Sequence, residues 1–409
     1  MKQAIALFLL SMMTTTVSAS RTITVSVSNP MNIARADVPI IIQLAPYGEV
    51  RSALVTLNGQ EMPCQLDDLD KDDTFDELCF LANLDKKEKQ QYTVTLFDEG
   101  EPRPYPARVY AEMVLSNTKD KTLKKNQQNN YIESLTARGD AAYTYNVQHH
   151  HGVDFESELN GIRIYFDARQ TLDLYGKFKK QLELRETQFY TDDEQKKQGY
   201  GDDVLWVGQT FGLGAFRGWD GHQPTHVEPV ATRTQRIISY GPLRTIVEVI
   251  DRGWKADAQK TPVNMTLRYI QYAGHRDTDV DVLFNKDVSD YRFSTGIINV
   301  KDSEEFSNKK GLRACWGTDY PSTDTVKWSR ETVGLAILLP QQNIVSEEPA
   351  NKDNYAFVLK VNGRQMSYKV TYTSANETFG YHSAKEWFDY LKAWCKEVEK
   401  PVVVNIKDS

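Results

Sequence analysis

Hydrophobic and polar positions alternate along most of this chain. Arg21 to Ser28 (RTITVSVS) and Gln91 to Phe97 (QYTVTLF) alternate, Val38 to Leu44 (VPIIIQL) is mostly apolar, and Val50 to Leu57 runs into an Asn58-Gly59 turn. Residues two apart share one face of a strand, so each run predicts a strand with a buried side. The same rhythm returns at Thr232 to Tyr240, Leu243 to Trp254, Val263 to Tyr272, Asp277 to Phe284, Val333 to Leu339, Ala356 to Val361 and Ser367 to Thr373. Only Ser383 to Val398 (SAKEWFDYLKAWCKEV) has a helical period, with Trp387, Leu391, Trp394 and Cys395 on one face and Ser383 as N-cap. The predicted fold is all-β. An N-terminal β-sandwich module over residues 20–112 precedes a large antiparallel β-sandwich over 113–409, which carries the single C-terminal helix.

Two stretches break this rhythm. Residues 1–19 read as a signal peptide: Lys2, an apolar run from Ala4 to Met13, and Val17-Ser18-Ala19 before the cut. That run is too short to span a bilayer and no cysteine follows it to take a lipid, so the expected product is secreted or periplasmic and not membrane-spanning. Residues 113–148 are rich in Lys, Asn and Gln and read as a linker or as a long loop covering a face.

Charge and cysteine content narrow the function classes. With 49 Lys and Arg against 56 Asp and Glu, the net charge of −7 argues against sequence-independent binding to nucleic acid. An oxidising compartment would permit disulfides among Cys64, Cys79, Cys315 and Cys395, with Cys64 and Cys79 placed to close the acidic loop between them. In that loop (QLDDLDKDDTFDELCF) Asp68, Asp70, Asp72 and Asp76 have a spacing that suits a structural Ca²⁺, although Asp73 and Cys79 stand where an EF-hand has glycine and glutamate. A solvated acidic turn is the plainer reading.

The densest chemistry lies between His149 and Lys177 (HHHGVDFESELNGIRIYFDARQTLDLYGK). Candidate catalytic residues are His150, His151, Glu156, Arg163, Tyr165 and Lys177, and candidate substrate contacts are Glu158, Arg169 and Asp173. Adjacent strand residues point to opposite faces, so at most two of the three histidines can share a pocket. Consecutive histidines do not converge on one metal ion without help from elsewhere. Gly201 to Gly221 holds six glycines but no phosphate-loop pattern. Its glycines read as tight turns around Trp206, Trp219 and His222, and Trp219 with His222 is the stronger sugar-binding candidate because Arg217 and Asp220 flank it.

FESELNGIRIYFDARQTLDLYGK followed by GDDVLWVGQTFGLGAF resembles the two signature blocks of a secreted bacterial family, domain of unknown function 4861, and the acidic loop resembles a third. The family is similar to the galactose-mutarotase-like supersandwich group, often encoded with genes for using uronate-containing polysaccharides. The resemblance therefore implies a supersandwich and a carbohydrate partner, with no settled reaction. Three functions follow from the residues. A polysaccharide lyase on an acidic glycan would use His151 or His150 as base, Tyr165 as acid, and Arg163 or Lys177 against the uronate, with no cofactor in the chemistry. A glycoside hydrolase would draw on Glu156, Glu158, Asp173 or Asp220, and an aldose epimerase on one histidine and one glutamate. A non-catalytic glycan-binding protein would use the tryptophans alone.

Overall fold

The computed structural model describes residues 20–141 and 144–408; the signal-peptide reading concerns residues outside these. The first strands are β1 (Ser20–Ser28), β2 (Arg35–Gln43), β3 (Ser52–Leu57), β4 (Gln60–Met62), β5 (Cys64–Asp67), β6 (Glu77–Leu84) and β7 (Lys89–Phe97). β1, β7, β3 and β4 form one sheet and β2, β6 and β5 another. Their alternate residues, among them Ile23, Val25, Ile40, Phe80 and Val94, meet in a separate apolar core. The Asn58-Gly59 turn has positive φ at both residues, the backbone that a two-residue hairpin favours.

The module boundary differs from the expected one at residue 112. β8 (Val109–Glu112) pairs with the strand Gly152–Ser157 of the second part, and the last strand, Val403–Asp408, pairs back onto β1. The N-terminal module is thus completed from the far end of the chain.

No disulfide forms among the four cysteines, which are all buried thiols. Cys64 lies opposite Phe80 and Gln65 opposite Cys79 in the β5–β6 register, so the two cysteines are one pleat out of step. Their side chains leave opposite faces of the sheet.

In the acidic loop, Asp68, Asp70 and Asp76 bring carboxylate oxygens within 4.8 Å of one another. Much of that capacity is used locally: Asp68 accepts the N–H groups of Lys71, Asp72 and Asp73, and Asp76 that of Leu69. Asp72 turns away to accept the Thr74 N–H at 2.9 Å.

The second part is an antiparallel all-β sandwich, as the resemblance implied. A nine-stranded sheet runs from Ser134–Arg138 at one edge to Glu304–Ser307 at the other. A five-stranded sheet holds β8, Gly152–Ser157, Gly161–Tyr165, Leu172–Gly176 and Asp202–Asp203, and a further five-stranded sheet is centred on Phe293–Ile298. Phe155, Ile162, Ile164, Leu172 and Leu174 of the former share one core with Val249, Leu267, Tyr269 and Val282 of the nine-stranded sheet. The C-terminal helix spans Ala384–Glu399 and buries Trp387, Leu391, Trp394 and Cys395, as its period predicts; the Ser383 hydroxyl accepts the Glu386 N–H. Among the described residues no helix is long and apolar enough to cross a membrane.

Candidate active site

The five-stranded sheet that includes β8 has one apolar face in the core, so its alternate residues emerge on the other side. These are Tyr110, Glu112, Asp154, Glu156, Arg163, Tyr165, Asp173 and Tyr175. The register sets Glu112 opposite Asp154, Asp154 opposite Arg163 and Arg163 opposite Asp173, a row of charges across four strands. In an uncovered sheet this face would be solvated. Here the short helices Leu184–Thr187 and Asp193–Lys197 and the polar 116–131 segment close over it. Asn126 donates to Gln195 at 2.7 Å and the Gln128 N–H to Gln188 at 2.9 Å, tying that segment to the helices. Of the stretch expected as a linker or covering loop, the 116–131 part lies over this face, whereas Ser134–Arg138 is an edge strand of the nine-stranded sheet.

Arg163 is the hub of this buried polar layer. It donates to Asp173 at 2.6 Å, to Asp203 at 3.1 Å and to the Tyr165 hydroxyl oxygen at 3.0 Å, and its guanidinium stacks on Phe189 at 4.2 Å. The Tyr165 hydroxyl donates in turn to Asp173 at 2.9 Å. Burial and the Asp173 charge push the Tyr165 phenol well above its ordinary value, so it keeps its proton. Burial and Asp173 likewise push Asp203 up against the pull of Arg163.

Above this layer lies a more open side. His151, half-buried with φ +68°, stacks its ring on Tyr165 at 6.4 Å and meets the edge of Tyr145 at 5.1 Å. Burial, then the Arg163 charge, lowers the His151 imidazole, leaving it neutral. The Arg169 guanidinium sits 4.9 Å over the same Tyr165 ring, held by Asp167 at 2.5 Å and by the Gly208 carbonyl at 3.1 Å. Gly208 adopts φ +52°, and a Cβ there would stand 3.4 Å from the indole nitrogen of Trp206, which is 52% exposed. Imidazole, phenol and guanidinium are thus in successive ring contact, and the exposed Trp206 indole lies beside the Gly208 that holds Arg169. A cavity of about 230 Å³ bordered by Tyr145, Asp167, Arg138 and Arg233 adjoins this side. On the other flank Tyr190 lies under Lys125 at 3.4 Å and against His149 at 5.3 Å.

Several residues singled out in the sequence are engaged elsewhere. Glu156 and Lys177 form a fully buried ion pair at 2.5 Å. Lys177 also donates to the Ser157 and Gln181 carbonyls, and Glu156 accepts the N–H groups of Glu183 and Leu184. Burial pushes the Glu156 carboxyl up to about 7 against the pull of Lys177. Glu158 faces the N-terminal module, accepting from Arg108 at 2.5 Å and from the Gly274 N–H at 2.8 Å. Trp219 lies on Arg217–Trp219 in the other five-stranded sheet, and exposed His222 sits in a turn whose N–H is capped by Asp220.

His150 is wholly buried, 3.5 Å from both Glu112 and Asp154. Burial drives its imidazole down to about 3 and the Glu112 carboxyl up to about 8. Glu112, Asp154, Tyr190 and Asp203 were missed in the sequence; the period-2 pattern could have placed Glu112 and Asp154 on this face once the strand register was known. A larger groove of about 520 Å³ lies at the module junction, where His275 bonds the Asp37 carbonyl at 2.7 Å and contacts Asp277 at 3.1 Å.

With this arrangement in view, the family model described as "Domain of unknown function (DUF4861)" matches residues 27–404. The chain belongs to the DUF4861 family. No curated protein matches it. Solved structures similar to this DUF4861 chain include an alpha-mannosidase from Enterococcus faecalis V583, at TM-score 0.48 and 8% identity over 94% of this chain and 46% of the other. Another is a protein in glycosyl hydrolase family 38 from Enterococcus faecalis, at TM-score 0.47 and 9% identity over 94% and 47%. The chain spans about half the length of these structures.

Proposed function

We propose that this DUF4861 chain is an exported enzyme that cleaves a uronate-containing glycan by β-elimination. The observation that carries the reading is the stacking of half-buried His151 and Arg169 on the two-way hydrogen-bonded Tyr165. Elimination needs a base for the C5 proton, a cation against the uronate and an acid for the departing O4. His151 takes the C5 proton while Tyr165 gives its own to O4; the C5–H and C4–O bonds break and C4=C5 forms. Arg163, already donating to the Tyr165 oxygen, stabilises the phenolate until the proton on His151 returns through solvent. Arg169 takes the carboxylate-neutralising role in place of Arg163 or Lys177, because its side chain keeps contact with solvent whereas those two are buried. The exposed Trp206 indole supplies a surface for a pyranose ring. No metal or cofactor takes part in this scheme.

Uronate polysaccharides and their oligosaccharides should develop the ultraviolet absorbance of an unsaturated uronate when incubated with the protein. Tyr165→Phe and His151→Ala should each lower kcat by about 10²–10⁴-fold. New reducing ends without that absorbance would instead favour glycoside hydrolysis. Asp203, pushed up beside Asp173, gives that second reading its acid. Glycan binding with neither signal would point to a binding protein or an epimerase.

A further inference from the structure

The Glu112–His150–Asp154 cluster takes no part in that scheme and is closed to solvent, at 2%, 0% and 0% exposure. We propose that these three side chains form a buried site for one divalent transition-metal ion. The register puts Glu112 and Asp154 directly opposite on adjacent strands, where like charges repel. Among the described residues neither carboxylate forms an ion pair with a lysine or arginine.

Glu112 Oε1, both oxygens of Asp154 and both ring nitrogens of His150 have no hydrogen-bond partner. Buried polar atoms are normally paired, so His150 Nε2, Glu112 Oε1 and Asp154 Oδ2, unpartnered and facing one another, indicate an occupant. His150 Nε2 stands 3.5 Å from an oxygen of each carboxylate, and the three ligand atoms lie within 4.8 Å of one another. Ligands about 2.0–2.1 Å from a tetrahedral ion are separated by about 3.3–3.4 Å, whereas a direct N–H···O bond would draw the atoms to about 2.7–3.2 Å.

The supporting shell is also present. The Tyr110 hydroxyl holds Glu112 Oε2 at 2.7 Å and leaves Oε1 to face the cluster. One imidazole with two carboxylates suits Zn²⁺, Mn²⁺ or Fe²⁺ better than an alkaline-earth ion, which prefers an all-oxygen shell. The ion would bind β8, the strand Gly152–Ser157 and the histidine turn to one another. Because His150 precedes His151, it would also fix the turn that presents the neighbouring imidazole.

The test uses the full mature chain, stripped with a chelator under mild denaturant and refolded with Zn²⁺ or Co²⁺. Metal content after desalting should reach one ion per chain, Zn²⁺ should raise Tm, and Co²⁺ should give the visible absorption of a low-symmetry nitrogen–oxygen site. Asp154→Asn and Glu112→Gln keep the shape of the side chains and should lose the ion and the Tm rise, while Asp68→Asn in the acidic loop should keep both. A wild-type chain that refolds without retaining either ion would overturn the proposal. So would equal retention by Asp154→Asn, or loss by Asp68→Asn alone. If the two carboxamide variants fail to fold, the wild-type metal content and Co²⁺ spectrum still decide. These readouts are independent of catalysis, so a failed elimination assay and a failed metal assay remain separable.

Discussion

Lys177 and Glu156 illustrate how a pair of candidate catalytic residues becomes structural once its surroundings close. Both side chains are fully buried, and each spends its remaining hydrogen-bonding capacity on backbone groups. Removing one partner leaves the other charge buried without compensation, which costs about 3–5 kcal/mol. Lys177→Met should therefore lower the urea midpoint by that equivalent at constant m, and a change below about 1 kcal/mol would show that the pair is not the anchor described. A contrast comes from Arg169, whose side chain keeps contact with solvent. Arg169→Ala should raise KM for a uronate substrate and lower the urea midpoint by less than Lys177→Met does, since breaking an ion pair that keeps solvent contact costs less than breaking a fully buried one.

At the scale of elements, the C-terminal helix is fitted to its sheet through one close approach. Gly334 lies in the strand Glu331–Leu338, and a Cβ added there would stand 2.7 Å from Trp387 and 2.9 Å from Trp316. Both neighbours are rigid rings, and Trp387 is further held by stacking on Tyr390 at 5.4 Å. Gly334→Ala should thus destabilise by about 1–3 kcal/mol through overpacking. Combining it with Trp387→Leu should give less than the sum of the two single changes, because the smaller side chain relieves the clash; strict additivity in the double-mutant cycle would reject this account.

For the molecule as a whole, the junction between its two parts carries a titratable clasp. His275 bonds the Asp37 carbonyl of β2 through one ring nitrogen and contacts Asp277 through the other, with Lys369 3.3 Å from Asp277 and Glu397 nearby. Burial works against the imidazolium, but the hydrogen bond and charge of Asp277 and the Asp37 carbonyl outweigh it, and the His275 pKa is raised. A raised histidine stabilises the fold fully below its unfolded value of about 6.5 and loses that contribution as pH rises through the folded value. Tm should consequently fall from about pH 6 to about pH 8 by more in the wild type than in His275→Gln; parallel profiles would exclude the clasp.

Much of the fold was legible along the chain because strand and helix periods are local properties. The alternation in β1 and β7 and the apolar stripe of Trp387, Leu391 and Trp394 each state which residues seek a core, whatever lies opposite. Arg163 and Tyr165, two residues apart, share a face for the same reason, whereas Asp173 joins them only through the register of the next strand. What covers that face is a long-range matter: the sheet register set Asp154 against Glu112, and the 116–131 segment with the two short helices turned a polar surface into an interior. Only that tertiary packing assigned Lys177 to Glu156, Glu158 to the module junction and His150 to a pair of distant carboxylates. Sequence by itself determined which side chains share a face, because pleat and helical turn repeat over a few residues; tertiary structure decided which of those faces meets solvent, since burial depends on segments far away in the chain.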